Sequence, residues 1–375
     1  MHIVAQLKVQ TEVDMKHILH VIQSLEFGGA EKVVVQLANK FCDEYKVTVC
    51  VTKKMGELAK ELSPDVKIVA MNMGEGNNPA LISKLKELIV EQEVDIVHCH
   101  DWGVYVESAL SVKKAGRAKV ILTAHGPYTQ YAPGLISKLK KMIRHIVERY
   151  LSKFTYKIVA VSDSIKSYIK KEIGIGDDKV SVIHNGVQGY NYEFTTHSDK
   201  CRKLITVGRV AKIKNHRLMI DAISTVIKSI KDVRLTIVGD GPEFENIKKY
   251  TNEIGLSDVV TFTGFRTDIE ELLKLHDAFL LSSHYEGISI AGLEAMSLGL
   301  PIVSTNVGGV SEMVQDGVNG LLAENNSVTD YAQCLAKLCS DDDLFEELSR
   351  SSRAVFCDKF QEDAMLNDYR SLYEA

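Results

Sequence analysis

Glu286-Gly287-Ile288-Ser289-Ile290-Ala291-Gly292-Leu293-Glu294 sets two carboxylates where a strand gives way to a helix. The run before it, Ala278-Phe279-Leu280-Leu281-Ser282-Ser283, is short and apolar like a buried parallel strand. Gly292 to Leu298 is rich in helix formers. Such a junction is where open α/β sheets bind ligands. The pattern predicts a helix beginning near Ile288 or Ser289, whose free N–H groups and positive dipole end can hold a phosphate. Glu286 then stands just outside the helix and Glu294 about two turns in. One carboxylate beside the phosphates and one further along suit a diphosphate flanked by hydroxyl-bearing groups.

The stretch continues as Ala295-Met296-Ser297-Leu298-Gly299-Leu300-Pro301-Ile302-Val303 and Gly308-Gly309. With its Glu-x7-Glu spacing it resembles the retaining glycosyltransferases of family 4. Further matches follow in order: Gly28-Gly29-Ala30-Glu31, Thr123-Ala124-His125, Asn185-Gly186-Val187, Gly208-Arg209 with Lys214, and Val238-Gly239-Asp240-Gly241-Pro242. They span nearly the full length. The resemblance implies a GT-B fold, two Rossmann-like doubly wound domains facing a cleft, with the C-terminal helix crossing back to the first. It also implies a nucleotide-sugar donor, most often uridine-linked, a glycan or lipid-linked acceptor, and no cofactor.

The 375 residues are 45% hydrophobic with a formal net charge of −5, enough for two ordinary cores and too balanced for a disordered chain. Nothing points to a nucleic-acid partner. The longest apolar runs are strand-sized, well short of a membrane span. Met1 to Lys16 lacks the charged start and apolar block of a secretory signal and reads as a leader. The cysteines, odd in number and scattered, form neither a disulfide framework nor a Cys-x-x-Cys metal site, and suggest a reducing cytoplasm. His98 and His100 share one face of a strand, but no third ligand is evident, so no metal is expected.

Two strand-helix series emerge. The first has strands at His17–Gln23, Lys46–Thr52, Val66–Met71, Asp95–Cys99, Lys119–Thr123, Lys157–Val161 and Val180–His184. The second has Lys203–Gly208, Arg234–Gly239, Val259–Thr263, Ala278–Ser282 and Pro301–Thr305. Such alternation argues for parallel sheets covered by helices. The boundary is expected after Val187, giving a first domain over 1–187, joined by the returning 356–375, and a second over 188–355. The aperiodic Gln188 to Lys200 serves as linker, and a last helix is expected at about Asp363 to Tyr373.

The first half is net basic and the second net acidic. Much of the positive charge lies in 138–153, where Lys138, Lys140, Lys141, Arg144, Arg149 and Lys153 interleave with apolar residues. Such a helix either lies peripherally on an anionic membrane or is an ordinary surface helix with its apolar side turned to the core.

By the resemblance, Arg209 and Lys214 meet the donor diphosphate, where a guanidinium fork and an ammonium offset the leaving charge without a metal. Glu286 binds hydroxyls of the donor sugar and Glu294 those of the ribose, while the amides of Ser289, Ile290 and Ala291 meet the phosphates. The commonest family pattern has glycine where this chain has Ser289. Gly28 and Gly29, in a turn where glycine permits positive φ, lie over the diphosphate. His125 contacts the transferred sugar, Gly264 and Phe265 lie near the base, and Asp101 falls on the acceptor side. No Asp-x-Asp sits at a strand end to hold a metal-bridged diphosphate, and Asp341-Asp342-Asp343 reads as a surface loop.

Three other classes compete. A sugar-nucleotide 2-epimerase shares the two-lobed plan but fits the Glu286 to Gly309 run less well. A dinucleotide oxidoreductase would need Gly-x-Gly-x-x-Gly, and Gly239-Asp240-Gly241 lacks the third glycine. A binding protein without activity would not need so complete a charge-handling set.

Overall fold

A computed structural model describes residues 15–74, 78–127, 135–190 and 200–375. Residues 1–14 of the suggested leader and residues 191–199 of the expected linker lie outside the described residues. The chain divides into two compact units, one of residues up to Ile183 with Tyr369–Ala375, the other His184–Asp368. The return to the first unit is thus made by Tyr369–Ala375, a shorter piece than 356–375.

In the first unit, strands β1 (His17–Ser24), β2 (Lys46–Lys54), β3 (Lys67–Ala70), β4 (Ile96–His100), β5 (Lys119–Ala124), β6 (Lys157–Ala160) and β7 (Val180–Val182) form one sheet in the order β3-β2-β1-β4-β5-β6-β7. Every pairing is parallel. Between the strands run α1 (Gly29–Phe41), α2 (Pro79–Glu91), α3 (Trp102–Ala115), α4 (Leu135–Ser152) and α5 (Asp163–Tyr168). The β4 residues are all buried, which is why the strand reads as an unbroken run with histidines in it. Asn78 caps α2 by accepting from the Ala80 amide at 3.0 Å, and Pro79 opens the helix.

The second unit repeats the plan with β8 (Lys203–Val207), α6 (His216–Val226), β9 (Arg234–Val238), α7 (Phe244–Glu253), β10 (Val260–Gly264), α8 (Ile269–Lys274), β11 (Ala278–Leu281), α9 (Ile290–Ser297), β12 (Ile302–Thr305), α10 (Val310–Met313), β13 (Gly320–Ala323), α11 (Val328–Ser340), α12 (Asp342–Lys359) and α13 (Glu362–Glu374). Its parallel sheet runs β10-β9-β8-β11-β12-β13. The sixth strand, β13, was not expected: it is only Gly-Leu-Leu-Ala, and it pairs with β12 in register from Ile302↔Gly320 to Thr305↔Ala323. Asp341 lies in no loose loop but caps α12, accepting from the Leu344 amide at 3.0 Å.

The end of α13 belongs to the first unit. Tyr369 and Tyr373 are each 1% exposed, and Phe41, Tyr45 and Tyr373 meet edge to face with centroids 5.3 to 5.9 Å apart. Burying an aromatic of that size is worth about 2 kcal/mol or more. Arg370 adds a forked pair to Glu44.

Candidate active site

In the second unit the strand order reverses between β8 and β11, and ligands bind open α/β sheets beyond the strand ends at such a point. The two loops that leave these strands are stitched together. Ser282 Oγ donates to the carbonyls of Lys214 and Asn215 at 2.9 and 3.0 Å, and the His284 amide donates to the Ile213 carbonyl at 2.8 Å. Asn215 ends the turn in the left-handed region, φ 48°, where asparagine is better tolerated than most residues.

That stitching brings Lys214 Nζ to 2.5 Å from Glu286 Oε1, and Ser283 Oγ donates to the same oxygen at 2.7 Å. The pair is sheltered, the lysine side chain 28% and the glutamate side chain 11% exposed. From behind, the Gly309 amide donates to the Glu286 carbonyl at 2.9 Å. Gly308, at φ 55°, lies so close that an added Cβ would stand 1.9 Å from that carbonyl oxygen, so the Gly308-Gly309 pair is what lets the backbones meet.

Glu286 is followed by α9, which starts at Ile290 rather than at Ile288 or Ser289, because Ser289 is its cap and accepts from the Gly292 amide at 3.2 Å. A serine here, where the resembled family most often has glycine, thus supports the helix start directly. Among the described residues the amides of Ser289, Ile290 and Ala291 have no hydrogen-bond acceptor, although Ser289 and Ile290 are buried. Buried N–H groups are seldom left so, and free amides at a helix start are suited to meeting an anion. Glu294 is the fifth residue of α9, little more than one turn in, not two. Tyr190, which sequence reasoning passed over, is near enough that burial and the charges of Glu294 and Glu270 push its phenol up.

Arg209 is exposed, and among the described residues its side chain has no ion pair or hydrogen bond. It follows Gly208, over whose carbonyl Gly239 packs so tightly that an added Cβ would be 2.0 Å away. The Gly239 amide in turn donates to the Gly264 carbonyl at 2.8 Å, so the ends of β8, β9 and β10 lie side by side. Phe265, next in the chain, is 44% exposed.

The first unit has its own reversal, between β1 and β4. Gly28 precedes α1 with φ −168°, so positive φ is not what glycine supplies there; an added Cβ would lie 2.1 Å from Glu31 Oε2. Gly29 is the first residue of α1. His125 follows β5, and its amide donates to Asp101 Oδ1 at 3.0 Å. Asp101 takes φ 64°, ψ 162°, strained for a residue with a Cβ, and such strain clusters at functional sites. The structure therefore ties Asp101 to His125 directly.

Beneath them His20, on β1, supplies the third imidazole that the sequence did not show for His98 and His100; one nitrogen of each falls within 4.8 Å of the others. His98 has both nitrogens engaged, with the Tyr373 hydroxyl and Thr123 Oγ1, each at 2.7 Å. His20 Nδ1 faces His100 Nε2 at 3.0 Å, and His100 Nδ1 faces His125 Nε2 at 3.3 Å. The rings thus hydrogen-bond to each other and to hydroxyls, while His20 Nε2 and His125 Nδ1 are left buried and without a partner among the described residues. Burial holds the His20 imidazole down to about 3. Burial, then the neighbouring imidazoles, holds His98 and His100 well below the usual range. Burial also lowers His125, against the opposing charge of Asp101.

Much of the apolar side of helix α4 is exposed along with its lysines, contrary to the reading that puts that side against the core, although Leu151 near its end is buried. Ile136 is 73% exposed, and Leu139, Met142, Ile143, Ile146 and Tyr150 are each at least 50% exposed. His145 and Glu148 point inward instead, Glu148 paired with Arg144 at 2.5 Å. Burial raises the Glu148 carboxyl, with Arg144 pulling the other way. Among the described residues no helix is long and apolar enough to cross a membrane.

The family described as glycosyltransferase family 4 matches residues 27–188, and that of glycosyl transferases group 1 matches 192–355. The N-acetyl-alpha-D-glucosaminyl L-malate synthase of Bacillus anthracis is 27% identical over 306 residues, 78% of each chain. The UDP-Gal:alpha-D-GlcNAc-diphosphoundecaprenol alpha-1,3-galactosyltransferase of Escherichia coli is 25% identical, over 95% of this chain and 96% of that one. Among solved structures, Anabaena HepE in complex with UDP and glucose superposes with a TM-score of 0.81 at 22% identity, covering 96% of this chain and all of the other. The protein has the GT-B fold and is a glycosyltransferase. The chain belongs to glycosyltransferase family 4.

Proposed function

We propose that the protein moves a sugar, with retention at its anomeric carbon, from a UDP-sugar to a glycan or lipid-linked acceptor at the cytoplasmic face of an anionic membrane. The observation that carries this is the sheltered Lys214–Glu286 pair beside three open amides at the start of α9. A diphosphate seated on those amides would draw on Lys214 and on the exposed Arg209 as negative charge grows on the leaving group. Glu286 would then hold sugar hydroxyls and Glu294 the ribose, with Gly264 and Phe265 toward the base. Gly28 and Gly29 of the first unit are assigned to the diphosphate, and His125 and Asp101 to the transferred sugar and acceptor. The bond from the anomeric carbon to the phosphate oxygen breaks, the acceptor oxygen bonds to the same face, and its proton passes to the departing diphosphate.

UDP in the names of a relative and a solved neighbour supports the choice of base. The diphosphoundecaprenol of one relative's name, with the outward apolar and basic residues of α4, supports a membrane-bound acceptor. Incubation with a panel of UDP-sugars and polyprenyl-diphosphate-linked glycans tests the assignment: transfer with retained configuration by NMR is expected, and an inverted linkage refutes the mechanism. Turnover should persist in excess chelator. An isomer formed from the nucleotide sugar alone would point instead to the epimerase.

A further inference from the structure

We propose that His20 and His100 are positioning residues that fix His125 as a neutral imidazole carrying its proton on Nδ1, ready to donate to a ligand oxygen. The proposal rests on the reading of His125 as a contact of the transferred sugar. The three rings form one row of hydrogen bonds, His20 Nδ1 to His100 Nε2 at 3.0 Å and His100 Nδ1 to His125 Nε2 at 3.3 Å. At its two ends, His20 Nε2 and His125 Nδ1 are buried and have no hydrogen-bond partner among the described residues.

A neutral imidazole has one N–H and one lone pair, so the protons of such a row all point the same way. Pointing toward His20, they would leave an N–H on its Nε2, in a residue with no exposure and with no acceptor in reach. Pointing toward His125, they leave only a lone pair at that deep end, and the N–H falls on Nδ1, an atom also covered, of a residue that is otherwise partly exposed and whose amide is held by Asp101. Either order leaves one covered N–H without a partner in the ligand-free chain, and only the one on partly exposed His125 can be met by an arriving ligand oxygen, whereas His20 has no exposure at all. The second order therefore prevails. It also requires each ring to stay uncharged, since a protonated ring would turn a donor toward its neighbour's donor, and the desolvation of all three favours that state. His98 lies beside the row, its ring centroid 4.2 Å from that of His100, but its nitrogens are held by Tyr373 and Thr123 and take no part in it.

The full chain labelled with 15N-histidine, without ligand and near neutral pH, gives the tautomer of His125 from two-bond 1H–15N spectra, its signals identified by their loss in His125→Gln. A protonated Nδ1 and an unprotonated Nε2 are expected. His100→Asn, whose amide N–H can take the place of Nδ1–H, should keep both that pattern and the rate of transfer from a UDP-sugar. His100→Leu and His20→Phe should move the proton of His125 toward Nε2 and lower kcat/KM about fivefold, the worth of one neutral hydrogen bond. The folding of each variant is read from Trp102 fluorescence. An unprotonated Nδ1 in the parent chain, or an unaltered tautomer in both folded apolar variants, overturns the proposal. Absence of transfer from every UDP-sugar by the parent chain would instead overturn the transferase reading, with the spectra still deciding the tautomer.

Discussion

Acidification should destabilise the first unit, and the share of one side chain in that loss can be isolated. His20 is fully buried, and its imidazole is held at about 3 against an ordinary 6.5. Between those values the unfolded chain binds a proton that the folded chain refuses, so the contribution of this depressed group is fully present above 6.5 and is lost as the pH falls toward 3. At pH 5, about 1.5 units below the unfolded value, the loss is about 2 kcal/mol. That figure does not depend on the folded value so long as it stays well under 5. His20→Phe removes this term and the lesser push that His20 exerts on His98 and His100, which burial, the larger cause, holds below the ordinary range in either chain. The chain has a single tryptophan, Trp102, 3% exposed in the first unit, so its fluorescence follows the unfolding of that unit alone. In urea titrations at pH 7.5 and pH 5, the parent chain should lose about 2 kcal/mol more than the variant. Equal losses would refute the reasoning, because they would mean that His20 accepts its proton within the folded state.

Glu286→Gln and Lys214→Ala should each lower transfer from a UDP-sugar about a hundredfold, the scale of removing one preorganised group from a site of developing charge; rates within twofold of the parent would remove this pair from the site. Replacing Lys138, Lys140 and Lys141 together by glutamine should weaken co-sedimentation with anionic vesicles about a hundredfold, at about 1 kcal/mol per cation, with no change on neutral vesicles. Ser289→Ala should cost about 1 kcal/mol in a thermal melt and Ser289→Gly only a few tenths. If the two variants melt alike, the hydroxyl is not a cap.

The alternation of strand and helix was readable because parallel strands buried on both faces are continuous apolar runs, whereas the strand order that frames the site came only with the structure. The resemblance put Lys214 and Glu286 in one site with separate roles, and their direct pairing came only with the structure. Their sequence separation hides a contact made by two loops that Ser282 ties together. β13 escaped because four residues of Gly-Leu-Leu-Ala carry no period long enough to distinguish strand from turn. The depth of Glu294 was misjudged for want of the Ser289 cap, which delays the helix to Ile290. His20 gave no signal: its partner His100 is 80 residues away, and only register across β1 and β4 brings the two strands' histidines onto one face. Amphipathic spacing in α4 showed two faces but not which of them turns inward, where the structure places His145, Glu148 and Leu151.

The hydroxyls of Tyr369 and Tyr373 meet Thr123 and His98 in the interior of a unit whose other residues end at Ile183. On the ribosome, where domains generally assemble as their residues emerge, this one stays incomplete until the entire second unit has been translated. The nascent intermediate therefore carries an unfilled aromatic socket around Phe41 and Tyr45 for the time needed to make nearly two hundred residues. Truncation or a bulky fusion at the carboxyl terminus should accordingly be felt first at the opposite half of the polypeptide, as chaperone retention and proteolysis of the amino-terminal sheet.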